Sequence, residues 1–174
     1  MKKSSTFKTL KKTKIFFATL FAFLLVGVGS VNAVTTYYSR ASTNWATTTT
    51  WSTVSYVSST NSGTFPVAGD IVNIGGGFSV TVAANAACAT ISIANSSTLN
   101  VGAFTLTVSG TTTVGGGASG ALIITSATGT KTFTGAVVIN SGASITENFA
   151  AALVFGTVIW IIYVIQLARR NPTP

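Results

Sequence analysis

The chain has 174 residues, with ten Lys or Arg against two Asp or Glu, no histidine and one cysteine, for a formal net charge of +8. Without histidine, Ser-His-Asp and Cys-His nucleophilic sites lack their base, and zinc sites lack a plausible ligand set. A single cysteine excludes an intramolecular disulfide; Cys88, among Ala86, Ala87 and Ala89, reads as a small buried hydrophobe.

Residues 1–33 read as a secretory signal. Lys2, Lys3, Lys8, Lys11, Lys12 and Lys14 form the basic start, the apolar run lies between Ile15 and Val28, and Val31-Asn32-Ala33 is a small-residue cleavage site. An apolar run of about fourteen residues is short of the roughly 20 needed to span a bilayer. Cleavage after Ala33 leaves Arg40, Lys131, Arg169 and Arg170 against Asp70 and Glu147, a net charge of +2. No basic face of the kind that neutralises phosphates remains, so nucleic acid is not an expected partner.

Residues 34–70 are rich in Thr and Ser and carry Tyr37, Tyr38, Trp45 and Trp51, with Phe65-Pro66 closing the segment; they read as an aromatic N-terminal cap. From 71 to 149 the pattern becomes short apolar-polar alternations broken by Gly, Asn and Ser. Examples are Phe78-Ser79-Val80-Thr81-Val82, Ile91-Ser92-Ile93, Leu99-Asn100-Val101 and Phe104-Thr105-Leu106-Thr107-Val108. Period two sends one set of side chains inward and the other outward. The apolar set changes phase across Gly102-Ala103, which marks a corner.

The alternations recur. Thr107-Val108-Ser109-Gly110 returns as Thr132-Phe133-Thr134-Gly135, Thr113-Val114 as Val138-Ile139, and Gly117-Ala118-Ser119 as Gly142-Ala143-Ser144, all at a shift of about 25 residues. A looser copy matches Ile91-Ser92-Ile93 through Leu99 with Val137-Val138-Ile139 through Ile145. Coils of about 21 to 25 residues with short strands and Gly/Asn/Ser corners predict an all-β fold, a short right-handed parallel β-helix (β-solenoid) of some four coils. A β-sandwich is the alternative, since it also gives short alternating strands.

Past Glu147 the fixed shift would place glycine where Trp160 and Leu167 stand, so the repeat is expected to stop near Phe149. Residues 150–168, bounded by Ala150 and Ala168, carry no formal charge and are followed by Arg169-Arg170 in the short tail 169–174. As a helix this stretch is about 28 Å long, which predicts a transmembrane anchor with a positive cytoplasmic flank and the solenoid outside. Its β-branched run between Val158 and Ile165 suits a strand as well, and the competing reading is a truncated or frame-shifted end.

No catalytic, cofactor-binding or metal-binding residue is assigned. Asp70 and Glu147 are expected near opposite ends of the stack, too far apart to flank one glycosidic bond. Asp70 reads as a turn residue. Gly75-Gly76-Gly77 and Gly115-Gly116-Gly117 are not followed by Lys-Ser/Thr and a helix, so they read as corners rather than phosphate loops. Calcium repeats want aspartates that the chain lacks. Tyr37, Tyr38, Trp45 and Trp51 are the possible ligand contacts, as rings that stack on sugar faces; their structural role would be to plug the N-terminal end of the stack.

Trp45, Trp51, Phe65-Pro66, Gly69-Asp70-Ile71-Val72-Asn73-Ile74 and the Thr-Leu-Thr-Val-Ser-Gly coils give the region 37–149 a likeness. It resembles the starts of large repetitive cell-surface proteins of Bacteroidetes-type bacteria, adhesins and gliding or biofilm proteins that are usually much longer and end in a secretion-sorting domain. The resemblance implies an exported, non-catalytic structural or adhesive module of the cell surface, with surface glycans or other envelope components as partners. A carbohydrate-binding module, or a fragment of a larger polysaccharide-acting protein, is the alternative.

Overall fold

The structure is a computed structural model that describes residues 33–148 and 153–158. Apart from Ala33, the expected signal segment lies outside the described residues, as does the basic tail.

Four coils follow one another, each a circuit of three short strands. The first is β3 (Ile71–Ile74), β4 (Ser79–Val82) and β5 (Ala86–Cys88); the second is β6 (Thr90–Ile93), β7 (Thr98–Val101) and β8 (Leu106–Val108). The third is β9 (Thr112–Val114), β10 (Ala121–Ile124) and the first half of β11 (Lys131–Ile139). The fourth takes the second half of β11, β12 (Ser144–Glu147) and the start of β13 (Leu153–Val158). Strands of successive coils pair in parallel, giving the ladders β3-β6-β9-β11, β4-β7-β10-β12 and β5-β8-β11-β13. All of these pairs are parallel, which is the solenoid expectation and excludes the antiparallel sandwich.

The alternation sets the interior. Inward positions stack into columns: Val72, Ile91, Thr112, Val137; Val80, Leu99, Leu122, Ile145; Val82, Val101, Ile124, Glu147; Ala86, Leu106, Lys131, Leu153; and Cys88, Val108, Phe133, Phe155. Most members of the first three coils are buried, and burial loosens at the last rung, where Ile145 is partly buried and Phe155 is exposed while stacking on Phe133 at 5.6 Å. Each fully buried Val, Leu or Ile contributes about 1.5–3 kcal/mol from lost apolar surface.

Stacking starts before Ile71. Strand β1 (Thr36–Ser39) lies parallel to β3, with Thr36, Tyr37 and Tyr38 opposite Ile71, Val72 and Asn73. The short β2 (Trp51–Ser52) follows a 3-10 turn at Thr48–Thr50 and pairs antiparallel with β1. On the second face, Asn44 bridges Thr81. Residues 34–52 therefore form an incomplete rung beneath the first coil.

Three expectations are corrected. The repeat has no fixed length: Ile71 pairs with Thr90 at a spacing of 19, Ile91 with Thr112 at 21 and Thr112 with Val137 at 25. The 25-residue shift holds for Thr132 on Thr107, but Ser144 lies on Ala121, a spacing of 23, so the alignment of Gly117-Ala118-Ser119 with Gly142-Ala143-Ser144 is off register. Corners protrude from the stack and absorb insertions at little cost, whereas strand rungs cannot.

The repeat also does not stop near Phe149. Leu153–Val158, inside the stretch expected as a membrane helix, is strand β13, with Lys131, Thr132 and Phe133 opposite Leu153, Val154 and Phe155 at a spacing of 22. A β-branched and aromatic sequence next to an open parallel edge gains a ladder of hydrogen bonds as a strand, and pairing overrides its apolar length. No helix among the described residues is long and apolar enough to cross a membrane, and the rest of 150–168 lies outside them.

Candidate functional site

The aromatic residues singled out in the sequence do not form one surface. Tyr37, at the foot of an inward column, is 5% exposed, Trp45 2% and Trp51 0%. Trp51 meets both others edge to face, with centroids 5.2 Å from Trp45 and 6.3 Å from Tyr37. Their polar edges are used internally: Trp51 Nε1 donates to the Trp45 carbonyl at 2.7 Å, Trp45 Nε1 donates to the Pro66 carbonyl at 3.1 Å, and the Tyr37 hydroxyl bonds Thr64 Oγ1 at 2.9 Å. These three side chains close the N-terminal end of the interior, and the ligand contact considered for them is corrected on grounds of burial.

Tyr38 points outward and keeps partial exposure. It meets Tyr56 edge to face at 5.2 Å, and Tyr56 lies over Gly75, where a Cβ would come within 2.5 Å of its ring. Burial, seconded by Tyr38, raises the Tyr56 phenol above its ordinary value. Sequence reasoning passed over Tyr56 because it stands in a polar loop, with no alternation to mark it.

Each corner motif is satisfied by its own chain. Asn95 Oδ1 accepts from the main-chain N–H of Gly116 at 2.9 Å, Ala118 at 3.2 Å and Ser119 at 3.4 Å, so the Gly115-Gly116-Gly117 corner wraps a side-chain oxygen. Ser97 Oγ accepts from Gly77 N–H at 3.1 Å, and Asn85 Oδ1 from Thr105 N–H at 3.0 Å. Asp70, 6% exposed, receives Thr35 N–H on Oδ1 at 3.1 Å and Val67 N–H on Oδ2 at 2.9 Å. It ties the incomplete rung to the first coil, in keeping with its reading as a turn residue.

Glu147 closes β12, three rungs above Val82 in its column. That puts it on the order of 14 Å along the stack from the coil that Asp70 opens. Cys88 is 2% exposed, and burial, with the nearby Asp70 charge, pushes its thiol up to about 12. A thiol that holds its proton so firmly is a poor nucleophile.

What the chain presents outward is a set of ladders. One face carries Tyr38, Asn73, Ser92, Thr113 and Val138; another carries Ser79, Thr98, Ala121 and Ser144 beside Thr81, Asn100, Ile123 and Thr146; the third carries Ala87, Thr107, Thr132 and Val154. Rungs repeat at about 4.8 Å. Asn100 Nδ2 donates to Ser79 Oγ one rung below at 2.8 Å, which shows how the polar groups interlock. The charged side chains among the described residues are Arg40, Asp70, Lys131 and Glu147; Asp70 and Lys131 are buried, and Arg40 Nη2 donates to the Ser59 carbonyl at 2.9 Å. No group of three or more His, Cys, Asp or Glu able to hold a metal occurs among the described residues.

Comparison with protein-family models, with curated proteins and with solved structures finds no match to this chain.

Proposed function

We propose that this chain is a non-catalytic, exported structural or adhesive module of a bacterial cell surface. Its working parts are the outward ladders, in which Thr, Ser and Asn together outnumber the apolar residues. The observation that carries this reading is where the charges go: Asp70 and Lys131 are spent inside the fold, so the ladders between the ends of the stack are uncharged. Such faces are wet yet uncharged, and suit contact with neutral polymers such as envelope glycans through many weak hydrogen bonds. The likeness of residues 37–149 to bacterial surface repeats supports the same placement, as do the lysine-rich start and the Val31-Asn32-Ala33 site.

Two measurements test this. N-terminal sequencing of the exported protein should begin Val34-Thr35-Thr36; retention of the lysine-rich start contradicts export. On an array of neutral glycans, binding should persist at high salt, since screening weakens charge-driven contacts only, and should leave the glycans uncut. Release of cleaved product would overturn the non-catalytic assignment.

The Tyr38–Tyr56 pair favours a second reading, a carbohydrate-binding module that stacks a sugar ring on partly exposed tyrosines. Binding abolished by Tyr38→Ala with Tyr56→Ala, yet kept by Thr98→Ala with Asn100→Ala, selects that reading over the ladders.

A further inference from the structure

Lys131 occupies an inward position, between Leu106 below and Leu153 above, and is 0% exposed. Its Nζ donates to three main-chain carbonyls of the 126–129 corner: Ser126 at 3.1 Å, Gly129 at 2.7 Å, and Thr128. An ammonium has three donors, and here three acceptors of one tight corner converge on them. The corner is pinned from below as well. Gly129, at φ +74°, has no room for a side chain, since a Cβ would lie 2.5 Å from the Phe104 carbonyl carbon.

Several carbonyl oxygens turned toward one point are how main chain holds a cation, and three carbonyls aimed at a buried point need donors placed between them. Burial lowers the Lys131 ammonium from its ordinary value, while Glu147 on β12 acts to raise it. Among the described residues, Glu147 is the charged group acting on it. A neutral amine offers two donors and leaves one carbonyl unpaired.

We propose that the 126–129 corner is a cation-binding loop whose resident cation at neutral pH is the Lys131 ammonium, and that the corner keeps its shape only while the Lys131 nitrogen is there to donate to it. The order of this corner then depends on the Lys131 side chain rather than on apolar stacking. The ligand class it selects is a primary ammonium.

Nitrogen NMR of the wild-type protein at neutral pH should show the Lys131 Nζ as a slowly exchanging ammonium. In Lys131→Met, which keeps the apolar stem, amide exchange between residues 126 and 130 should accelerate on the order of tenfold, with the β7–β10 ladder unchanged. In Lys131→Ala, n-propylammonium should raise the melting temperature and slow that exchange, and n-propanol at the same concentration should do neither. An uncharged Lys131 at neutral pH, unchanged exchange in Lys131→Met, or equal rescue by propanol overturns the proposal. Should Lys131→Ala fail to fold, the wild-type spectrum and Lys131→Met decide.

Discussion

Gly135 lies directly over Gly110: a Cβ on Gly135 would sit 2.4 Å from the Gly110 carbonyl carbon and carbonyl oxygen. These are the last residues of the two motifs Thr107-Val108-Ser109-Gly110 and Thr132-Phe133-Thr134-Gly135, whose strands pair at Thr107–Thr132 and Val108–Phe133. The sequence repeat is thus a steric requirement, because two backbones meet at the corner where any side chain would part the coils.

Gly135→Ala should therefore destabilise the fold by about 1–3 kcal/mol, or more where the backbone cannot shift. Gly102→Ala is the control, since its Cβ would find Val82 O at an ordinary 3.7 Å. It should stay within about 0.5 kcal/mol of wild type in a denaturant titration. Equal effects would mean that the coils do not meet at Gly110 and Gly135.

The strand phase makes a second contrast. Val108 is 0% exposed while its neighbour Thr107 faces outward with partial exposure. Val108→Asp places a charge in the interior and should abolish or severely weaken folding. Thr107→Ser should shift stability by no more than about 0.5 kcal/mol. Melting curves of the two variants check the phase directly.

Thr112 breaks the apolar column Val72, Ile91, Thr112, Val137, and its buried hydroxyl has no hydrogen-bond partner among the described residues. Thr112→Val keeps the shape and removes an unpaired polar group, so it should stabilise the protein by about 1–3 kcal/mol. A loss of stability in the same titration would show that the hydroxyl is in fact satisfied.

What the sequence reveals follows from which forces are local. The alternation around Val80, Leu99 and Val108 exposed the inward face, and the match of Ile91 with Val137 and Leu99 with Ile145 proved to be the true two-coil register. Corner lengths stayed hidden, because loops such as 125–130 vary without disturbing a rung. Lys131 stayed hidden for a related reason. A lysine at an apolar position reads as a phase error until the three carbonyls that receive it are brought together by the fold. Strand β13 was obscured by its own hydrophobicity, which fits a membrane helix by length and a strand by composition.

The buried thiol of Cys88 makes stability depend on alkaline pH. In the unfolded chain it ionises near its ordinary 9.0, while in the fold it stays protonated up to about 12. A raised value gives stability that is complete below the unfolded value and lost as pH rises toward the folded one. Wild-type stability should therefore carry a falling component between pH 9.0 and about 12 that Cys88→Ala lacks. Tyr56, also raised, adds a loss above 10.0 in both proteins, and Lys131, lowered, adds a gain below 10.5 in both, so the difference between the two curves isolates the thiol.

Parallel stacking of successive coils underlies both the ladders and the buried charges, and one cross-link tests it most directly. Thr107 and Thr132 are partners on adjacent parallel strands, about 4.8 Å apart, inside the range of about 4.4–6.8 Å that a disulfide spans. In a Cys88→Ala background, Thr107→Cys with Thr132→Cys should oxidise to an intramolecular disulfide without loss of the fold, while Thr81→Cys with Thr132→Cys, on different faces, should not. Mass spectrometry of the folded, oxidised protein reads the outcome. Two free thiols in the Thr107–Thr132 variant, or cross-linking in both variants alike, would contradict the coil register on which this account rests.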